Sequence, residues 1–252
     1  MKTFFITSLA LCISFFTFAQ EAVDFKLNPE VGKPLQFNML MKTDVDGPQS
    51  VIMDMTMKME LLPAKKENEN FTLENVIKAV KVDINAGMNT MSYDSETPST
   101  DETTKMLGDE FSKIIDQKIS SVITEKGKTM EIDLPSSIAA QGFDANSFSN
   151  ISPSFPDKAV APGESWDSTA EMEEHPLISK MEMFSTYREE NKDGYVIDVK
   201  GKILDTSGNE IGTISGDYTL DKKTHFTKNS TIKTSLEVQG TKIISDVEMT
   251  VE

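Results

Sequence analysis

Apolar and polar residues alternate one for one along most of this chain. That period of two confines it to strands that each present one apolar and one wet face. Leu35, Phe37, Met39 and Met41 fall on every second position, with Gln36, Asn38 and Lys42 between them. Met53, Met55, Met57, Met59 and Leu61 repeat the pattern against Asp54, Thr56, Lys58 and Glu60. Asp46-Gly47-Pro48 lies between the two runs and signals a turn, so they read as a hairpin. Residues 71–84 form a long strand apolar enough to be buried, with a bulge where the alternation slips near Val76-Ile77. Shorter strands are expected at 88–93, 119–124 and 129–134, the last two joined by Glu125-Lys126-Gly127-Lys128. From residue 165 the chain reads as a meander, with strands at 165–173, 180–189, 195–205, 210–220, 226–237 and 241–251. Turn residues separate them at Lys192-Asp193-Gly194, Ser207-Gly208-Asn209, Asp221-Lys222-Lys223 and Gln239-Gly240. Such spacing predicts an antiparallel sheet with one solvated face.

The period changes once. Met106, Leu107, Phe111, Ile114 and Ile115 recur at helical spacing, which predicts a helix over about 101–116, capped by Thr100 or Asp101. Gly108 weakens that helix by about 1 kcal/mol relative to alanine. The polar tract 94–104, with Pro98, reads as an exposed loop, and 135–156 as a connection holding a short helical turn at 136–141. The expected fold is therefore mainly β: a curved antiparallel sheet, either a half-barrel or two meander halves, with one helix covering its apolar face. Val31-Gly32-Lys33-Pro34 and Ala161-Pro162-Gly163-Glu164 each lead into a strand. Residues 20–252 read by their length as one β-rich domain, and that echo divides it into two pseudo-repeat halves at 20–134 and 155–252.

Lys2, an apolar run from Phe4 to Phe18 and the ending Thr17-Phe18-Ala19 have the layout of a secretory signal, too short for a stable membrane span. The expected destination is the periplasm or the extracellular space. The single cysteine, Cys12, lies inside that run, so the remainder can form no disulfide and must rest on its core. The formal charge is −16. A polyanion is repelled by nucleic acid and by anionic membrane surfaces, and neither is expected as a partner.

The segment from Phe155 to Trp166, Phe-Pro-Asp-Lys-Ala-Val-Ala-Pro-Gly-Glu-Ser-Trp, resembles a stretch of exported β-rich proteins of unknown function from Bacteroidetes-type bacteria. Gly216-Asp217-Tyr218-Thr219-Leu220-Asp221-Lys222-Lys223-Thr224 is similar to another phrase of those proteins. The resemblance implies a strand-rich layout like the curved half-barrels of periplasmic lipoprotein carriers, and it brings no catalytic residue. Asp167-Ser168-Thr169 resembles the short O-glycosylation sequence of such bacteria. Within the longer motif, Pro162-Gly163 forces a turn and Trp166 enters a strand as an anchor.

With two histidines in the chain, nucleophile–base triads are nearly excluded. No phosphate loop, dinucleotide fingerprint, EF-type calcium loop or zinc spacing is present, so no cofactor and no enzyme activity are expected. His175 beside Glu173 and Glu174 reads as a charged loop, with metal binding as its sharper alternative; His225 reads as structural. The chief functional lead is the methionine stripe. Met39, Met41, Met53, Met55, Met57 and Met59, with Phe111 from the helix, form either an ordinary core face, a deformable apolar pocket or a soft Cu(I) site. The expectation is an exported, non-catalytic protein that binds a hydrophobic small molecule, lipid or apolar peptide on those side chains. The alternative is a structural or adhesion module of the cell envelope.

Overall fold

The computed structural model describes residues 21–97, 101–139, 153–172 and 175–252. The expected signal segment lies outside them. Strands β1 (Leu35–Asp46), β2 (Val51–Glu67), β3 (Asn70–Ala86) and β4 (Asn89–Asp94) precede helix α1 (Glu102–Phe111). β5 (Lys118–Thr124), β6 (Thr129–Asp133) and the short α2 (Ser136–Ala139) follow. The second meander comprises β7 (Ser165–Glu171), β8 (Ile178–Glu190), β9 (Tyr195–Asp205), β10 (Glu210–Leu220), β11 (Thr227–Val238) and β12 (Thr241–Val251). All twelve strands among the described residues join one antiparallel sheet in the order β6-β5-β3-β2-β1-β12-β11-β10-β9-β8-β7, with β4 also beside β3. The two meanders meet where β1 pairs with β12, so the sheet runs through both without a break. It does not close into a barrel: among the described residues β6 and β7 end it without pairing to each other.

Register carries the alternation across the sheet. Directly opposed residues of antiparallel strands point to the same face. One row runs Trp166, Ser185, Val199, Gly216, Ile232, Val247, Met41, Met55, Val82, Tyr93 from β7 to β4. Positions of the opposite parity, such as Lys200, Asp217, Lys233, Asp246, Lys42 and Asp54, face solvent on the other side. β3 keeps this order only because it carries a bulge. Lys58 opposes Ala79 and Met59 opposes Ile77, which leaves Lys78 as an extra residue. Phe71, Leu73 and Ile77 before it, and Val80 and Val82 after it, can then all turn to the core. The bulge sits within two residues of the expected slip. It also marks where the outer edge of β3 changes partner, from β5 to β4.

Helix α1 occupies that change of partner. It begins at Asp101, whose carboxylate accepts from the Thr104 N–H at 2.9 Å, and ends at Phe111, shorter than the spacing predicts. Its contact face is Thr104, Leu107, Gly108 and Phe111. Thr104 donates to the Ser92 carbonyl at 2.9 Å, and Phe111 stacks on Tyr93 with 5.6 Å between ring centroids. Met106, expected on the buried side, is 69 % exposed. The helix therefore packs on β4 rather than over β1 and β2. Gly108 is the flat spot that admits Tyr93: a Cβ there would lie 3.0 Å from the Tyr93 ring.

One end of the sheet is plugged. The chain before β1 crosses the turns at that end, with Val23 pairing to Val160, the Leu27 N–H donating to the Glu125 carbonyl and the Asn28 N–H to Thr224. Lys126 donates to Asp24 at 2.6 Å, a bond that holds the Asp24 carboxyl below its ordinary value, and Lys26 pairs with Glu125 at 3.0 Å. Phe25, with no solvent exposure, fills the centre. Its ring lies 5.3 to 6.1 Å from those of Tyr187, Tyr195, His225, Phe155 and Trp166. Trp166 is a core anchor, and its indole N–H donates to the Ser154 carbonyl at 2.8 Å. Through Ser154 and Phe155, whose N–H donates to the Lys126 carbonyl, the β5–β6 turn is tied to β7. The two edges of the sheet thus come together at this end, which gives the sheet its curl.

Candidate functional site

Curling the sheet leaves a concave space between its margins. A cavity of about 760 Å³ lies there, bounded on one side by 129–132 of β6 and on the other by 168–171 of β7. Its wall is Met181 and Met183 from β8, Val199 from β9, Ile214 from β10, Ile232 from β11 and Met249 from β12. Gly201 and Gly216 lie in the rows of that wall, between Met183 and Ile214 and between Val199 and Ile232. At Gly216 a Cβ would lie 2.0 Å from the Thr231 carbonyl oxygen, so the backbones approach more closely than any other residue allows.

The polar lining consists mostly of hydroxyls, among them Ser168, Ser185, Tyr218, Ser230 and Thr234; among the described residues charge enters at Lys128, Glu131 and Glu171. Tyr218 is buried, which pushes its phenol above the ordinary value, while the hydrogen bond with Ser185 opposes that shift. Ser168, the hydroxyl of the glycosylation-like triplet, faces this cavity.

The six sequence-predicted methionines do share one face. Met39 opposes Met57, Met41 opposes Met55, Phe37 opposes Met59, and Thr43 opposes Met53. Met59 is buried toward the plugged end, and the others are half-buried. Met39, Met55 and Met57 pack against the core, as does Phe111, which also stacks on Tyr93 of β4. None of these seven side chains lines the cavity. The link between stripe and cavity is Met249, which opposes Met39 from β12. Met181, Met183 and Met249 were missed as site residues, although Met181-Glu182-Met183 carries the same alternation and was readable on that ground.

Among the described residues, no group of three or more His, Cys, Asp or Glu side chains is placed to hold a metal ion. The His175 Nδ1 accepts from the N–H groups of Leu177 and Ile178, at 3.2 and 3.0 Å, so the ring folds its own loop. His225 belongs to the plug, where its Nδ1 lies 3.0 Å from the Lys26 nitrogen and burial lowers its pKa. Tyr187 is fully buried in the same cluster, its hydroxyl has no hydrogen-bond partner among the described residues, and burial pushes its pKa up to about 12. No helix among the described residues is long and apolar enough to cross a membrane.

The comparisons with known proteins can be set beside this geometry. The profile of a family of unknown function (DUF6263) matches residues 134–241, from the end of β6 to the start of β12. No curated protein matches the chain. Among solved structures, lipovitellin, described for its lipid–protein interactions, is similar with a TM-score of 0.55 and 9 % identity over 88 % of this chain. This chain spans a quarter of that one's length, the match covering 25 % of it. A lipoprotein-sorting protein domain from Vibrio parahaemolyticus, described as putative, aligns over 86 % of this chain and 83 % of its own, with 8 % identity and a TM-score of 0.27. An outer membrane channel from Pseudomonas putida F1 aligns over 92 % and 99 %, with 6 % identity and a TM-score of 0.29. The chain is thus similar in its second meander to a family of unknown function, and in its fold to part of lipovitellin.

Proposed function

We propose that this is an exported, non-catalytic protein that buries the apolar part of a lipid or another hydrophobic molecule inside its curled sheet. The observation that carries this reading is the cavity of about 760 Å³, whose methionine and aliphatic wall continues across Met249 onto the half-buried methionine stripe. Its volume falls in the range typical of small-molecule sites, roughly 300 to 1,000 Å³. If a methylene takes about the 30 Å³ of a water molecule, the space holds on the order of 25 heavy atoms, or one acyl chain and its attachment. Thioether side chains suit an occupant of variable shape. The few lining charges leave the deep part of the ligand uncharged, with hydroxyls to meet an ester or alcohol. Each buried methylene contributes about 0.8 kcal/mol. Micromolar binding, about −8 kcal/mol, then needs on the order of ten methylenes beyond those that offset ordering costs. The fold likeness to lipovitellin is compatible with this reading. Export rests on the N-terminal apolar run.

The test is native mass spectrometry of protein purified from its own envelope, with titration of a fluorescent fatty acid. A lipid-sized adduct and saturable uptake are expected. Thr234→Trp, which places an indole in the cavity, should abolish uptake at unchanged melting temperature. A bare protein mass together with no uptake sinks the proposal. The structural-module alternative draws on the outer edges of β6 and β7, which carry no strand among the described residues. It predicts association through those edges and no ligand.

A further inference from the structure

The two ends of the curled sheet differ in chemistry. At the plugged end every turn between strands carries charge: Glu69; Glu125, Lys126 and Lys128; Lys192 and Asp193; Asp221, Lys222 and Lys223. At the other end, four of the five turns carry none; the fifth, 172–177 between β7 and β8, holds Glu173, Glu174 and His175. Residues 47–50 are Gly-Pro-Gln-Ser, 87–88 Gly-Met, 206–209 Thr-Ser-Gly-Asn and 239–240 Gln-Gly. This happens in a chain with a quarter of its residues charged, at 26 %, and a net charge of −16.

The same rim holds three exposed apolar side chains. Met88, at the tip of the β3–β4 turn, is fully exposed; Ile52, beside the β1–β2 turn, is 46 % exposed; Leu177, just before β8, is 41 % exposed. Strand order puts Ile52 and Met88 on one arm of the curl and Leu177 on the other. Acidic groups resume just behind the turns, at Asp46, Asp205 and Glu210.

The geometry points to this rim as a surface that docks on an electrically neutral lipid bilayer. The four charge-free turns lose little on leaving water for the headgroup region, and the three tips gain by burial in it, with the charges of the fifth turn kept in water. The acidic residues behind them exclude an anionic surface. The opposite end is plugged by Phe25 and its aromatic neighbours, so a docked rim turns the end of the concave face that lies away from this plug toward the membrane. This goes beyond the carrier reading and extends it only by naming where a lipid ligand would come from.

The experiment is co-flotation of the protein with phosphatidylcholine vesicles and, separately, with vesicles rich in phosphatidylglycerol. Binding to phosphatidylcholine is expected to persist at about 1 M salt, where charge is screened within roughly 3 Å, and to exceed binding to phosphatidylglycerol. Met88→Asp should lower it about tenfold. Ile52→Ser, Met88→Ser and Leu177→Ser combined should abolish it, with melting temperature and uptake of a soluble fatty acid unchanged. Failure of the unmodified protein to float with phosphatidylcholine, preference for the anionic vesicles, or full docking by the triple variant overturns the inference. Docking lost in the variants of a protein that takes up no fatty acid supports the rim and overturns the carrier reading alone.

Discussion

Tyr187 concentrates the energetics of the plug in one side chain. Its ring is fully buried between Phe25 and Tyr195, and its hydroxyl has no partner among the described residues. An unsatisfied buried hydroxyl costs about 1 to 3 kcal/mol. Tyr187→Phe removes the oxygen and keeps the ring contacts, so urea denaturation should show stability unchanged or raised by about 1 kcal/mol. The alkaline limb gives a second readout. The folded pKa, about 12, stands above the unfolded value of 10.0, so the unfolded chain loses this proton first. The stabilisation is complete below pH 10 and is lost as pH rises toward 12. The wild type should therefore lose stability over that window and the phenylalanine variant lose less, with the remaining slope left to the other groups raised in the fold, among them the phenols of Tyr93, Tyr195 and Tyr218. The role of Tyr187 was not readable in the sequence, because a tyrosine at a strand position has the same pattern whether or not its hydroxyl finds a partner.

At the scale of elements, the bulge in β3 is the feature on which the sheet depends. A single extra residue, Lys78, lets a strand with odd-numbered core positions up to Ile77 continue with even-numbered ones from Val80. Deleting Lys78 forces one half of the strand to turn its apolar residues to solvent. Loss of the cooperative thermal transition is expected, monitored by near-ultraviolet circular dichroism, while Lys78→Gly, which keeps the residue count, should still melt cooperatively. The strands were largely legible beforehand because each buries one face, and that requirement writes a period of two into the residues themselves. Helix α1 was legible as a helix but not in its packing. Its face is set by Tyr93, a residue of another element, which selects Thr104, Gly108 and Phe111 and leaves Met106 outside.

Across the whole molecule, one short segment ties together parts of the chain that are distant in sequence. Phe25 touches rings from β7, β8, β9 and the segment before β7, and its neighbours in the chain bond to the turns after β5 and β10. Phe25→Ala should cost about 3 to 5 kcal/mol in denaturant unfolding, the usual range for a large aromatic lost from a core. A loss under about 1 kcal/mol would mean that the arms of the curl hold together without the plug. The methionine stripe shows where sequence and tertiary structure divide. Alternation alone put Met39, Met41, Met53, Met55, Met57 and Met59 on one face, because successive strand side chains point oppositely whatever the strand's neighbours are. Which part of that face borders an empty space depends on curvature, and curvature comes from contacts no local period encodes: Gly216 against Thr231, and Ser154 and Phe155 bridging β7 to the β5–β6 turn. Those contacts place the cavity against Met181, Met183 and Met249 and leave the predicted methionines as the continuation of its wall. The chain by itself determined strands, their faces and their turns, all set within a few residues; the tertiary structure decided the curl, the plug and the hollow, because each needs surfaces far apart in sequence to meet.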